Sequence, residues 1–193
     1  MKIVGIVGIN SRKSYNRMLL KFMKANIIKD HDFQIDNIDQ VPMFCEDFKG
    51  DLPILPQGVQ DLADDIEAAD AVIIACPEYN HSVPSALKSV TEWLSYTIHP
   101  LKDKPVMIVG ASTQPTGSSR AQVHLRAILN SPGIHALVWQ GNEFLIGNAT
   151  QAFDDDGNIK DPAKVLFLQE CFDEFINFVN RFNGKPFKKD IDE

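Results

Sequence analysis

The stretch that decides the fold runs from residue 71 to residue 84 and reads Ala71-Val72-Ile73-Ile74-Ala75-Cys76-Pro77-Glu78-Tyr79-Asn80-His81-Ser82-Val83-Pro84. Its first five residues are all apolar, which predicts a parallel strand buried on both faces. After Pro84, apolar residues recur at helical spacing. A long polar turn therefore follows a buried strand, at the edge where open α/β sheets bind their ligands.

Strand and helix patterns alternate along the rest of the chain. The other predicted strands cover residues 3–7, 33–38, 106–109 and 134–138, and the predicted helices cover 15–27, 59–66, 86–94, 121–129 and 162–179. The last helix has a strong start signal, with Asp161 as its cap and Pro162 in its first position. The alternation predicts a three-layer α/β fold with a doubly wound parallel five-stranded sheet. We expect the flavodoxin-like strand order 2-1-3-4-5, whose crevice opens after strands 1 and 3.

Composition narrows the class of protein. The chain has 193 residues, of which 44% are hydrophobic, and residues 1–193 are expected to form a single domain. A net charge of -7 argues against a nucleic-acid partner, and no apolar run approaches the ~20 residues that span a membrane. The three cysteines are odd in number and widely spaced. They favour reduced thiols in a cytoplasmic protein over a disulfide framework or a metal site.

The predicted first strand leads into a polar loop, residues 8–16, called here the first loop. A helix start offers unpaired amide groups and the positive end of the helix dipole, which together favour an anion. Asn10, Ser11, Ser14 and Asn16 can add amide or hydroxyl donors, and Arg12 can add positive charge. A phosphate monoester suits this set of groups. The alternative is a solvated turn in which Ser14 only caps the helix.

The second loop, residues 77–82, resembles part of a family signature, Pro-Glu-Tyr-Asn-x-Ser-x-Pro-x-x-Leu-Lys. That signature belongs to the ring-binding loop of the NAD(P)H-dependent FMN reductases, a flavodoxin-like family that includes azo- and quinone-reducing enzymes. The residues that meet it, without a gap, are Pro77, Glu78, Tyr79, Asn80, Ser82, Pro84, Leu87 and Lys88. Taken by itself, the loop also suits a plain turn in which Tyr79 covers the core.

Two further loops resemble the family less closely. In the first loop, Ser14 and Asn16 match the family's Gly-Ser-x-Arg-x-x-Ser-x-Asn, whereas Ile9 replaces its serine and Arg12 lies one residue late. Ser11 is a candidate for the missing hydroxyl group. The third loop, residues 111–120, ends at Arg120, which together with Ala121 matches the family's Arg-Ala pair. There Gln114 and Ser118 stand where the family usually has glycine, so we expect a bulkier loop.

The resemblance implies that FMN binds where the three loops meet, with its phosphate at the first loop and its ring at the second and third. The backbone N–H groups available within residues 77–82, Pro77 having none, would donate to the ring, and Tyr79 would offer an aromatic face. The expected cofactor-binding residues are Asn10, Ser11, Arg12, Ser14, Tyr15, Asn16, Pro77, Glu78, Tyr79, Asn80, Ser82, Ser112, Thr113 and Gly117. No catalytic side chain is expected, because the flavin itself carries the hydride.

The implied activity is that of an FMN-dependent oxidoreductase. It would take hydride from NADPH or NADH and pass electrons to a flavin, quinone or azo acceptor by ping-pong turnover. Arg12, Lys13 and Arg120 are candidates for contacting the 2′-phosphate of NADPH. The alternative is a flavin-binding module that transfers electrons to a protein partner or senses its redox state.

The resemblance also implies a homodimer. Two helices offer faces for it: the helix around residues 86–96, which carries Trp93 and Tyr96, and the aromatic last helix. The same side chains could instead close the core of one chain.

Overall fold

The computed structural model describes residues 1–46, 55–96 and 98–182. Its strands are β1 (Lys2–Val7), β2 (Asp32–Asn37), β3 (Ala71–Ala75), β4 (Pro105–Ala111), β5 (Leu137–Val138) and β6 (Phe144–Ile146). Its helices are α1 (Tyr15–Asn26), α2 (Gln57–Glu67), α3 (Ser85–Tyr96), α4 (Ser119–Leu129), α5 (Ala149–Ala152) and α6 (Pro162–Phe182).

The strands form a parallel sheet in the order β2-β1-β3-β4-β5, which confirms the predicted order. Val7 at the end of β1 pairs with Ala75 at the end of β3, and Ala75 pairs in turn with Val109 of β4. The carboxyl ends of these three neighbouring strands therefore meet at one edge. The loops that follow them begin side by side.

Side chains alternate between the two faces of the sheet, and both faces are buried. On β1, Ile3 and Val7 pack with α1 and α6, whereas Val4 and Ile6 pack with α2, α3 and α4. The strands β3 and β4 alternate in the same way. This two-sided burial explains the continuous apolar runs from which the central strands were predicted.

The fifth position of the sheet differs from the prediction of one strand at residues 134–138. Leu137 and Val138 pair with the start of β4, and the separate strand β6 pairs with its end, from Val109 to Ala111. Residues 131–136 instead close the end of α4, where the amide of Ala136 donates to the Leu129 carbonyl at 3.0 Å. The apolar pattern at 134–136 thus belongs mainly to a packed turn.

The aromatic side chains that suggested a dimer surface pack largely within the chain. Trp93 is 2% exposed, and its indole N–H donates to the Pro42 carbonyl at 2.9 Å. Phe44 meets the Trp93 ring edge to face at 5.0 Å. On α6, Phe172 and Phe175 are buried in the core between the helix and the sheet. None of the described helices is long and apolar enough to cross a membrane.

Candidate functional site

The first and third loops are joined by the side chain of Asn16, which is 2% exposed. Its Nδ2 donates to the Ala111 carbonyl at 2.9 Å, and its Oδ1 accepts the Ala111 N–H at 3.0 Å. This pair of hydrogen bonds connects the first turn of α1 to the end of β4. Asn16 was predicted to bind the cofactor, but the structure turns its amide towards the protein backbone. In this chain, the Asn16 side chain thus holds the first and third loops together.

The start of α1 has several N–H groups that find no acceptor in the described part of the chain. Ser14 caps the helix, with its Oγ accepting the Asn16 N–H at 3.2 Å. For the N–H groups of Lys13, Tyr15 and Arg17, no acceptor is found among the described residues. Such unpaired donors at a helix start suit an anion.

The side chains around this helix start face different surroundings. Asn10, Ser11 and Arg12 are exposed, and the Ser11 hydroxyl donates to the Lys13 carbonyl at 2.9 Å. The ring of Tyr15 stacks on Phe153, with 5.9 Å between the ring centroids. Ile9, which replaces the family's serine, is 4% exposed and belongs to the core.

Arg17 supports the first loop, and the sequence reading missed it. Its guanidinium donates to the side chain of Asn37, at the end of β2, and to the Ser11 carbonyl at 3.1 Å. Its Nε is buried, and no partner for it is found among the described residues. In sequence, Arg17 looks like one more polar residue on a surface helix, so the pattern carried no signal for this role.

The second loop contains a tight reversal in which Tyr79 and Ser82 exchange two backbone hydrogen bonds of 3.1 and 3.0 Å. The residues between them are left-handed, with φ of 50° at Asn80 and 64° at His81. Two such residues in succession define a type I′ turn, which usually contains glycine or asparagine. The left-handed conformation of His81 costs about 1–2 kcal/mol, so the loop needs support from outside.

Helix α4 provides that support on both sides of the reversal. The Glu78 carboxylate accepts the N–H groups of Arg120 at 3.0 Å and Ala121 at 3.2 Å, and so caps the helix. Ser118, the N-cap residue, makes no side-chain capping bond. On the other side, Nδ1 of His124 lies 2.9 Å from Oγ of Ser82. Glu78 and Ser82 were predicted to bind the cofactor, and the structure shows them anchoring the loop.

The third loop rests on β6, the strand that the sequence reading did not predict. The Ser112 amide donates to the Ile146 carbonyl at 2.9 Å, and the Ala149 amide donates to the Ser112 carbonyl at 3.0 Å. Gly117 is buried with φ of 65°, a conformation that favours glycine. The apolar triplet Phe144-Leu145-Ile146 was the signal for this strand, but it lies inside a connection otherwise rich in polar residues.

The two residues that were expected to make the third loop bulkier, Gln114 and Ser118, lie in different surroundings. Ser118 is fully buried and receives a hydrogen bond from the side chain of Gln122 at 3.2 Å. Gln114 is exposed instead. Ser118 therefore takes no space from a ligand outside the loop.

Two cavities adjoin the loops. The loop cavity, of about 810 Å³, is lined by Glu78, Tyr79, Asn80, His81, Ser112, Thr113, Gln114, Pro115, Thr116 and Arg120. The α1 groove, of about 690 Å³, runs along α1 from Arg12–Tyr15 to Asn26 and faces the turn at residues 155–158. Of the predicted site residues, Asn10, Ser11, Asn16, Pro77, Ser82 and Gly117 line neither cavity.

Thiol chemistry is not supported at this site. Cys76 lies directly before the second loop and is fully buried. Burial raises the pKa of its thiol far above the usual value, and the nearby Glu78 carboxylate raises it further. The neutral thiol is a poor nucleophile. Any redox chemistry here therefore depends on a bound group.

Comparison with known proteins assigns the chain to a family. Residues 1–151 match the profile of a family described as NADPH-dependent FMN reductase. The chain belongs to this family. The predicted resemblance is confirmed, and with it the oxidoreductase class of enzyme. FMN as cofactor and NADH or NADPH as co-substrate agree with the names in this family.

Individual relatives of this FMN reductase family member extend the match beyond residue 151. The chain is 47% identical over 178 residues to the NADH:(hydroxy)cinnamate reductase subunit CrdA of Vibrio ruber, covering 92% of this chain and 87% of that protein. It is 37% identical over 186 residues to the NADH-dependent flavin reductase subunit 2 of Lactobacillus johnsonii, covering 94% and 98%. Among solved structures, FerB, an NAD(P)H:(acceptor) oxidoreductase from Paracoccus denitrificans, matches with a TM-score of 0.81 and 27% identity, covering 94% of this chain and 98% of that one.

Asn16→Ala should destabilise the fold, because it leaves the buried N–H and carbonyl of Ala111 without partners. We expect a loss of about 3 kcal/mol in the free energy of unfolding, measured by urea denaturation. Asn16→Asp should cost at least as much at neutral pH, since a carboxylate oxygen would then face the Ala111 carbonyl. Lys21→Ala, on the exposed side of the same helix, is the control and should cost under about 0.5 kcal/mol. Equal losses in Asn16→Ala and the control would contradict the role given to Asn16.

Proposed function

We propose that the chain binds FMN across the three loops, takes hydride from NADH or NADPH, and passes electrons to a small-molecule acceptor. The observation that carries the proposal is the set of unpaired N–H groups at the start of α1, at the same sheet edge as the loop cavity. The start of α1 suits a phosphate group, and the loop cavity suits a planar aromatic ring. A ligand that carries both groups would use both places, whereas a ligand with only one of them would use one.

The residues at the phosphate end fit FMN by their chemistry. The N–H groups of Lys13, Tyr15 and Arg17 would hold phosphate oxygens, with the hydroxyl of Ser14. Arg12 is exposed beside them and would add positive charge. The net charge of -7 makes such local donors necessary for an anionic ligand.

The residues at the ring end also fit. The amides of Tyr79 and Ser82 are paired with each other, which leaves the N–H groups of Glu78, Asn80 and His81 as donors from the second loop. Tyr79 is 55% exposed, so its ring can cover a planar ligand. Thr113 of the third loop would add a hydroxyl group from the other wall of the cavity.

When bound, FMN supplies the redox chemistry, accepting hydride from a reduced nicotinamide and returning two electrons to an acceptor. The protein's part is to orient its ligands. The type I′ turn and its anchors on α4 hold the second loop in one position. In this proposal, the cavity with FMN bound would admit one further aromatic ligand at a time. We infer that the nicotinamide and the acceptor take turns there, which is ping-pong turnover. A quinone, an azo compound or a free flavin would each be suitable as the acceptor.

Ping-pong turnover predicts parallel lines in double-reciprocal plots when the rate is measured against NADH at several fixed quinone concentrations. The physical reason is that one cavity serves both substrates in succession. A second prediction of the same scheme is that each substrate at high concentration inhibits competitively against the other. Intersecting lines would show that both substrates are bound together and would contradict the shared cavity.

A homodimer and a cytoplasmic location remain predictions. Trp93, Phe172 and Phe175 are buried within the chain. A dimer interface would therefore draw on partly exposed aromatic side chains such as Tyr96 and Phe178, or on other exposed side chains. Large apolar side chains that are more than half exposed include Met43, Val123 and Leu166. The last two lie on the outer sides of α4 and α6.

Ser14→Asp should separate phosphate binding from helix capping. Aspartate caps helices as well as serine does, so thermal stability should be unchanged. Its negative charge beside the phosphate should weaken FMN binding by about tenfold or more, measured by fluorescence titration. Riboflavin, which lacks the phosphate, should bind the variant and the parent protein alike. Ser14→Asn is the neutral control, and equal FMN binding by Ser14→Asp and Ser14→Asn would contradict a phosphate at this position.

A further inference from the structure

The loop cavity has an uneven distribution of charge. The described residues that line it include one carboxylate, that of Glu78, and one guanidinium, that of Arg120. The Glu78 side chain is 8% exposed, whereas that of Arg120 is 55% exposed. A ligand that enters the cavity therefore has more access to the guanidinium group than to the carboxylate.

The charge of Glu78 is already compensated by the helix that it caps. Its Oε2 accepts two N–H groups at the positive end of α4, from Arg120 and Ala121. Its Oε1 lies 4.0 Å from Nη1 of Arg120, which is beyond hydrogen-bonding distance. Among the described residues, no hydrogen bond from the Arg120 guanidinium is found. The guanidinium thus forms a long ion pair with Glu78, and its N–H groups remain available to a ligand.

The exposed guanidinium of Arg120 has a larger relative effect on the binding of anionic ligands in this acidic protein than it would have in a neutral one. The net charge of -7 repels anionic ligands at long range, and a guanidinium at the cavity offsets that repulsion locally. Beside it, the half-exposed ring of Tyr79 offers an aromatic surface, and Ser112 and Thr116 offer hydroxyl groups. This combination is complementary to a planar aromatic molecule that carries a carboxylate or sulfonate group.

We propose that Arg120 is a specificity-determining residue that selects anionic aromatic acceptors, such as quinones bearing a carboxylate or sulfonate, over neutral ones. This assignment rests on the proposed function. The overall reaction balances as NADH plus one proton plus quinone giving NAD⁺ plus hydroquinone, with the proton supplied by water. Arg120 takes no part in the transfer of electrons and acts by holding the anionic group of the acceptor.

The phosphates of the nicotinamide co-substrate are also anionic and could bind Arg120. The test therefore has one arm for the anionic group of the acceptor and another for the phosphates of the co-substrate. In the acceptor arm, kcat/KM is measured for a neutral naphthoquinone and for its sulfonate, at saturating NADH. In the co-substrate arm, KM is measured for NADH and for NADPH with the neutral naphthoquinone as acceptor. The proteins are the FMN-loaded parent, Arg120→Gln and Arg120→Lys. Arg181→Gln, at the remote end of α6, is the matched control.

In Arg120→Gln we expect kcat/KM for the sulfonate to fall about five- to tenfold, which is typical of a partly exposed charged hydrogen bond. For the neutral quinone, kcat/KM should stay within about twofold of the parent value. The reason is that the Arg120 guanidinium has no anionic group on this quinone to bind. Arg120→Lys should recover part of the loss because it restores the charge without the planar fork. The control should match the parent.

A readout without turnover supports the same assignment. The dissociation constant of naphthalene sulfonate, measured by calorimetry, should rise in Arg120→Gln by the factor seen in kcat/KM. The melting temperature should not change, because the backbone N–H that Glu78 binds is kept in every variant.

Three results would overturn the assignment. The first is an equal fall for both quinones, and the second is no fall for either. The third is a change confined to the KM of NADH or NADPH, which would assign Arg120 to the co-substrate. If the parent protein reduces neither quinone with either nicotinamide, the proposed function itself fails, and the assignment fails with it.

Discussion

The paired hydrogen bonds between the Asn16 side chain and the Ala111 backbone are the constraint on which the site depends. They join the start of α1, which follows β1, to the end of β4, across the central strand β3 that lies between β1 and β4. The pair therefore sets the position of the first loop relative to the third. Because both partners are buried, breaking the pair would leave polar groups that water cannot reach. The helix start is therefore held at the sheet edge, where its unpaired N–H groups can serve a ligand.

The second loop shows how local strain is balanced by neighbouring structure. A type I′ turn with histidine in a left-handed position is costly when it stands alone. Glu78 and His124 tie it to α4 on both sides. The same arrangement compensates the Glu78 charge and leaves Arg120 exposed over the loop cavity. The position of the loop, and in our proposal the selection of a ligand, thus depend on one set of contacts around the start of α4.

Sequence reasoning predicted the central part of the fold well, because β1, β3 and β4 are buried on both faces and leave unmistakable apolar runs. It failed at the sheet edge, where the fifth position is shared by two short strands that pair with different parts of β4. Within the site, the family motif named candidate residues but carried no information on the direction of each side chain. Asn16 and Glu78 look like ligand contacts in sequence, and only tertiary structure shows them bound to backbone groups. The sequence contains no sign of the role of Arg17, because that role depends on contacts with Asn37 of β2 and with the Ser11 carbonyl, which form only in the folded chain.

The most direct test of the account is the absorbance spectrum of the protein after reconstitution with FMN and anaerobic mixing with NADH or NADPH. The account predicts that flavin is retained after gel filtration and that its visible absorbance is bleached rapidly by at least one of the two nicotinamides. Retained flavin that stays oxidised with both would contradict the reductase function. A protein that retains no flavin would contradict the binding site formed by the three loops.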